Sequence, residues 1–275
     1  MTKGEKMGKS YLIAVDLEGV HGVVGEPYKG LSDDVADYAL AVENAVKEVN
    51  IIVKALFDQG AEKVAIWDNH GSGQNLDFSR IDSRVVRVEN TLRKRYKRMG
   101  FIEGESFDGV IFVGYHAKAG SGGVLAHTYS SQKIQYYKLH GKQVGEVEID
   151  AYVAASYGVP LLLVVSDDVC VKQAKEYNPL IRAVVTKYAK GRNEAEFIDE
   201  KLLFEQLYQE TVSCVNAQIS PIRLTFPCME EVRYTRAEDA EKILQKIKDY
   251  GQEIAYGEDN HTLVSVIRTT DEFIF

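Results

Sequence analysis

Four apolar runs in this chain end on residues that bind metals or move protons. Tyr11 to Val15 leads into Asp16-Leu17-Glu18-Gly19, and Lys63 to Trp67 into Asp68-Asn69-His70-Gly71. Gly109 to Val113 leads into Gly114-Tyr115-His116, and Val159 to Val165 into Ser166-Asp167-Asp168. Residues two apart on an extended chain face the same way. Asp16 and Glu18 therefore present two carboxylates together, and Asp68 with His70 presents a carboxylate beside an imidazole. Brought together, these ends form a mixed set suited to Zn²⁺ or a similar divalent ion, and a second metal can share one carboxylate. Paired metals about 3.5 to 4 Å apart lower the pKa of a bridging water, polarise a scissile carbonyl and hold the developing oxyanion. Carboxylates crowded at one point repel each other, which is itself a reason to expect a cation there. Taken singly, each residue has a plainer reading. A strand-end Asp is usually a helix cap or turn former, and a single His is usually a hydrogen-bonded structural residue. Asp-x-Glu-Gly alone is weak, because phosphatases and kinases also place carboxylates after a first strand. The repetition at several strand ends is what favours a site.

The elements that must position these residues are legible in outline. Short continuous apolar runs mark strands buried on both faces, as in parallel sheets. Between the first two, a glycine-rich loop (19–30) precedes a helix. Ser32, followed by Asp33 and Asp34, reads as its N-cap and acidic first turn, and Gly60 as its stop. Val85 to Val88 reads as a short strand, followed by a charged helix up to Gly100. Lys133 to Val144 reads as a hairpin turning at His140-Gly141-Lys142, and Gly145 to Tyr157 as a helix. Further on come a helix at 168–177, a strand from Arg182 to Lys187 and a long helix at about 194–215. The last part reads as a strand (Ile222 to Phe226), a helix (Arg236 to Tyr250) and a strand (Thr262 to Arg268). Strands alternating with helices give an α/β fold: a mostly parallel central sheet flanked by helices, with a smaller C-terminal α+β part. The expected division is a flexible extension at 1–10, a metal-binding catalytic domain at 11–218 and the smaller part at 219–275. In open parallel sheets, ligands bind outside the carboxyl ends of the strands.

Composition narrows the partners. The net charge of −8 disfavours nucleic acid as a general partner. Arg93, Lys94, Arg95, Lys97 and Arg98 form a local exception, read as the solvated face of a helix. No apolar stretch approaches the roughly 18 to 20 residues of a membrane span, and the first apolar run is too short for a signal peptide. A cytoplasmic location without membrane partners is expected. Cys170, Cys214 and Cys228 form no CxxC pair and read as reduced, buried thiols.

Taken in order, the motifs resemble the DppA-type D-aminopeptidase family of zinc metallopeptidases. The residues that carry the resemblance are Val15-Asp16-Leu17-Glu18-Gly19, Asp68-Asn69-His70, Val113-Gly114-Tyr115-His116-Ala117-Lys118-Ala119, Ala126-His127-Thr128, Val144-Gly145-Glu146 and Ala151-Tyr152-Val153-Ala154. The resemblance is dense from about residue 11 to 168 and thins afterwards. It implies two Zn²⁺ ions per chain, with Asp16 as the bridging carboxylate. Glu18 and His116 would complete one zinc, and His70 and Glu146 the other. His127 would match the family's catalytic histidine, close to the metals without binding them. The resemblance also implies a ring-shaped homo-oligomer, a decamer in the family, that restricts substrates to short peptides. Read from pattern alone, Glu146 is an exposed helix carboxylate, with Asp150 one turn later. Asp68, Lys118, Asp167 and Asp168 are left as pocket or supporting residues, with Asp68 expected to orient the His70 ring. His21, His140 and His261 match no family role.

The expected function is a zinc-dependent aminopeptidase that releases the N-terminal residue of short peptides, D-Ala-type residues among them, through a metal-bridging water. Two alternatives are carried. A phosphohydrolase using Asp16 and Glu18 with Mg²⁺ is weakened by the histidines, since Mg²⁺ prefers oxygen ligands. A non-catalytic metal- or small-molecule-binding module is the other. Handedness of the substrate is set by pocket shape, which composition does not encode.

Overall fold

The computed structural model describes residues 8–88 and 98–274. Its strands are β1 (Lys9–Val15), β2 (Ala61–Asp68), β3 (Val86–Arg87), β4 (Gly109–Val113), β5 (Ile134–Leu139), β6 (Lys142–Val144), β7 (Leu161–Ser166), β8 (Arg182–Val185), β9 (Lys187–Gly191), β10 (Glu194–Phe197), β11 (Cys228–Tyr234), β12 (Ile254–Tyr256) and β13 (Thr262–Ile267). Its helices are α1 (Ala36–Asp58), α2 (Glu146–Ser156), α3 (Asp168–Tyr177), α4 (Glu200–Asn216) and α5 (Ala237–Asp249). Six strands form a parallel sheet in the order β3-β2-β1-β4-β7-β8. The α/β class with a mostly parallel sheet is the one expected.

The apolar runs fill the middle of this sheet because both of its faces are covered. Tyr11, Ile13 and Val15 of β1 point to the core layer that contains α1 and α4, while Leu12 and Ala14 point to the layer that contains α2 and α3. A strand with two buried faces must be apolar at every position. The chain leaves β1 in one direction toward β2 and later fills the other side with β4. The gap between the ends of β1 and β4 is therefore the switch point of the sheet, where a crevice opens. A second sheet is antiparallel, in the order β12-β13-β11-β5-β6. It joins the 134–144 hairpin to the C-terminal strands, and its inner side packs on the α2 layer.

Several local expectations are corrected. Helix α1 begins at Ala36, after Val35, not at Ser32. The Ser32 hydroxyl is spent on Asp34 instead, and the Asp37 carboxylate, in the true first turn, accepts the Val24 and Gly25 N–H groups. The long helix read from 194 begins at Glu200, capped by Asp199, because 194–197 pairs with 187–191 as a hairpin. The strand read at 222–226 is irregular, and β11 starts only after Pro227. Prolines at 221 and 227 bracket that stretch and supply no ladder donors. The charged helix expected before Gly100 falls largely at 89–97, outside the described residues, as do Arg93, Lys94, Arg95 and Lys97. The three cysteines are free and buried, as read.

Candidate metal centre

Strand β1 ends by continuing its ladder one residue further. The Asp16 N–H donates to the Val113 carbonyl at 2.8 Å, and the Gly19 N–H to the Gly114 carbonyl at 2.7 Å. This draws the loops after β1 and β4 into contact. Two glycines permit it. A Cβ on Gly19 would lie 2.0 Å from the Tyr115 carbonyl oxygen, and one on Gly114, at φ +71°, would lie 2.0 Å from the Asp16 carbonyl oxygen. The glycines in the two quoted motifs are thus steric requirements of the site. The loop after β2 is built by Asp68, whose carboxylate accepts the Asn75 and Leu76 N–H groups and the Asn75 side-chain amide. The same amide holds the His70 carbonyl at 2.6 Å.

Asp16, Glu18, His70, His116 and Glu146 converge in this crevice. His70 Nδ1 lies 2.8 Å from Asp16 Oδ1 and 3.1 Å from Glu18 Oε2. His116 Nε2 lies 3.2 Å from Glu146 Oε1 and 3.7 Å from Asp16 Oδ2. Asp16–Glu18–His70 and Asp16–His116–Glu146 each bring one ligand atom per residue within 4.8 Å of the others. Asp16 belongs to both triads, one oxygen facing each, which is the arrangement of a bridging carboxylate. The shortest contacts pair His70 with Glu18 and His116 with Glu146, while Glu18 and His116, the pair that the resemblance implied, also lie within ligand reach of each other. Glu146 opens α2 and is buried, not exposed as pattern alone reads it. Its Oε1 accepts the Tyr129 N–H at 2.7 Å.

The donor chemistry fits divalent ions. His116 Nε2 is buried and makes no well-aligned hydrogen bond among the described residues; its engagement is the ionic contact to Glu146 at 3.2 Å, a place a cation would fill. The electrostatics point the same way. Burial and the neighbouring Glu18 push Asp16 up to about 7. Burial also works to raise Glu18 and Glu146, but the histidine charges outweigh it. Glu18 is held well below the usual carboxylate range and Glu146 at about 2. Burial would lower His70, yet Glu18 and Asp16 raise it to about 12. His116 rises to about 10 against burial, chiefly through Glu146. The carboxylates thus favour the protonated form of both imidazoles, in the place that cations would take.

His127 is placed differently. Its ring stacks on His116, with centroids 3.9 Å apart and planes inclined by 11°. Its Nδ1 lies 2.9 Å from the Leu125 carbonyl. A carbonyl only accepts, so Nδ1 carries the proton and Nε2 keeps its lone pair, 3.9 Å from Glu146 Oε1. Burial and the His116 charge pull the ring down to about 4. His127 also falls within ligand reach of Glu18 and His116.

The Asp68 carboxylate is engaged by the 75–76 loop, and the His70 ring meets the Leu31 carbonyl, 3.1 Å from Nε2. Asp167 caps α3 through the Cys170 N–H and holds the Val124 N–H, and Asp168 accepts the Ala189 N–H. Lys118 meets Gln173 through its backbone N–H. His21, His140 and His261 bond to backbone carbonyls away from the cluster. Arg98 is the residue that the sequence reading missed. It is no solvated helix charge: it lines the crevice and grips Asp150 with Nε and Nη2, at 2.5 and 2.6 Å, and Asn69 at 2.9 Å. Tyr115 also donates to Asp150. Nothing in a run of basic residues separates one buried arginine from its neighbours. The crevice has a volume of about 350 Å³ and is lined at its base by Asp16, Glu18, His70, His127 and Glu146.

A doubly wound parallel sheet with a carboxylate–imidazole cluster at its switch point defines an α/β protein with a candidate binuclear metal centre. Residues 10–252 match the family model described as D-aminopeptidase, and the chain belongs to that family. A D-aminopeptidase of Bacillus subtilis (strain 168) is 27% identical over 183 residues, covering 66% of this chain and 64% of that protein. The match thus spans just under two-thirds of that relative's length. The structure titled Zn-dependent D-aminopeptidase DppA from Bacillus subtilis, a self-compartmentalizing protease, is similar with a TM-score of 0.82 at 21% identity. That similarity covers 95% of this chain and 93% of that one. At that identity the likeness establishes the fold.

Proposed function

We propose that this chain is a zinc-dependent aminopeptidase that removes the N-terminal residue of short peptides, D-amino-acid-containing ones included. The observation that carries the reading is Asp16 standing between two imidazole–carboxylate pairs in an open crevice. Asp16, Glu18, His70, His116 and Glu146 would hold two zinc ions per chain. When bound, such ions supply an activated water and polarise a scissile carbonyl. The Leu31 carbonyl at His70 Nε2 fixes that ring's tautomer and leaves Nδ1 for the metal. His127 Nε2 is an acceptor at the crevice surface, suited to take a proton and pass it to the leaving amine. The about 350 Å³ crevice suits a short peptide. Family membership and the relative's D-aminopeptidase name support the substrate class. The similar structure is described as a self-compartmentalizing protease, which supports assembly of copies into a ring that encloses the crevices. No helix among the described residues is long and apolar enough to cross a membrane, in keeping with a cytoplasmic enzyme.

The test joins metal analysis to a panel of paired D- and L-aminoacyl amides and dipeptides. The expected result is zinc at two ions per chain, cleavage with a preference for D-substrates and loss of both on chelation. Asp16→Ala should lose metal. His127→Ala should keep metal and lose rate, on the order of 100-fold or more. Metal-loaded protein that cleaves nothing on the panel overturns the peptidase reading, and full rate in His127→Ala overturns the role of His127.

A further inference from the structure

The segment that carries His127 is held in an unfavourable backbone shape. Leu125 and Tyr129, on either side of it, have φ of +52° and +57°. Left-handed conformations are uncommon for residues other than glycine and persist where surrounding contacts enforce them. Much of that enforcement comes from a distant part of the chain, the tip of the β9–β10 hairpin. The Arg192 carbonyl accepts the Leu125 N–H at 2.8 Å. The Arg192 guanidinium returns through Nη1 to donate to the Ala126 carbonyl. The peptide between these two anchors is the one bearing the Leu125 carbonyl, the acceptor for His127 Nδ1. One residue therefore pins the peptide planes before and after the group that sets the His127 tautomer and aim.

The hairpin is a rigid base for this. Lys187, at the start of β9, is fully buried, and its ammonium donates to the carbonyls of Glu18, Val20 and Val23 at 2.6 to 2.8 Å. Asn193, beside Arg192, donates to the Val24 carbonyl at 2.8 Å. The hairpin is thus tied to the loop that follows β1 at one end and to the His127 segment at the other.

The geometry points to Arg192 as a positioning residue for His127: it fixes the 125–126 peptide so that the Leu125 carbonyl keeps Nδ1 protonated and Nε2 directed at the crevice. The inference rests on the role given to His127 above. Arg192 itself also borders the crevice, so a direct substrate contact is the competing role, and the experiment separates the two.

Arg192→Ala and Arg192→Lys would be compared with the unaltered protein, purified with its metal. In Arg192→Ala, kcat should fall on the order of 10- to 100-fold with KM within about twofold, the signature of a displaced proton-transfer group. Arg192→Lys keeps one donor for the Ala126 carbonyl and should recover part of the loss. Metal content should stay unchanged. Imidazole ¹⁵N spectra, with His127 identified by its disappearance in His127→Gln, should show a fixed Nδ1–H tautomer in the parent and a mixed one in Arg192→Ala. Lys190→Ala breaks only the exposed ion pair to Glu196 on the same hairpin and should match the parent in all readouts. A rise in KM with kcat intact makes Arg192 a substrate anchor and overturns the inference. So do unmoved His127 signals, or a Lys190→Ala that reproduces the loss. If the parent cleaves no aminoacyl substrate, the aminopeptidase reading fails and the ¹⁵N signals alone decide Arg192.

Discussion

Asp16 is the residue on which the centre depends, and its position is set by a neighbour without a side chain. A methyl group on Gly114 would fall onto the Asp16 carbonyl oxygen, and at φ +71° it would also strain its own backbone. Gly114→Ala should therefore push the β1 loop away from β4. We expect a loss of roughly 1 to 3 kcal/mol in unfolding free energy and a drop in bound zinc, read by chemical denaturation and metal analysis on the same preparations. A variant that keeps full metal and parent stability would show that the two loops do not need this close approach. The candidate ligands at the ends of β1, β2 and β4 could be picked out because an apolar run must stop where the sheet ends, and the structure brings these residues together in the crevice. Glu146 was not legible that way. It sits on a helix, and only the order of the motifs marked it. Arg98 and Arg192 carried no signal at all, since their roles depend on which distant carboxylate or carbonyl the fold brings to them.

At the scale of elements, α2 delivers Glu146 from its first turn, so the start of the helix must be fixed. Glu148 does this: its Oε2 accepts the Gly145 N–H at 2.9 Å and the Gln173 amide at 2.5 Å. Gly145 leaves room for the contact, since a Cβ there would meet Lys118 and Gln173 at under 3 Å. Glu148→Ala removes the acceptor and should cost on the order of 1 kcal/mol or more. Because the fraying end carries a ligand, zinc affinity should fall as well, while Glu148→Gln, which keeps an acceptor, should restore much of it. Competition with a chelating dye measures both, and equal affinity in all three proteins would separate the cap from the centre. The buried strands and α2 were readable because their patterns are long or continuous. Strand β10 was read as the start of a helix and most of β9 was not read at all, because strands of four and five residues with mixed burial leave too little alternation to register. That hairpin supplies the clamps on both active-site loops, so the least legible element is among the most consequential.

For the molecule as a whole, the centre couples metal, protons and stability. Without metal, the folded state raises His70 to about 12 and His116 to about 10, above the value of about 6.5 for an unfolded histidine. Groups raised in this way add stability that is fully present below the unfolded value and is lost as pH rises through the folded one. The metal-free fold should therefore weaken as pH climbs from about 7 toward 10. Zinc reverses the trend, because it must displace those same protons before it binds. Glu18 and Glu146 are already ionised and contribute none. Titration of chelator-treated protein with Zn²⁺ at pH 8, in buffers of different ionisation enthalpy, should give release of about two protons per chain. Apparent affinity should strengthen as pH rises from 6 to 8.5, and the gain in unfolding temperature on adding zinc should grow with it. Binding that releases no protons, or a stabilisation that shrinks as pH rises, would mean that the ions do not take the places held by His70 and His116.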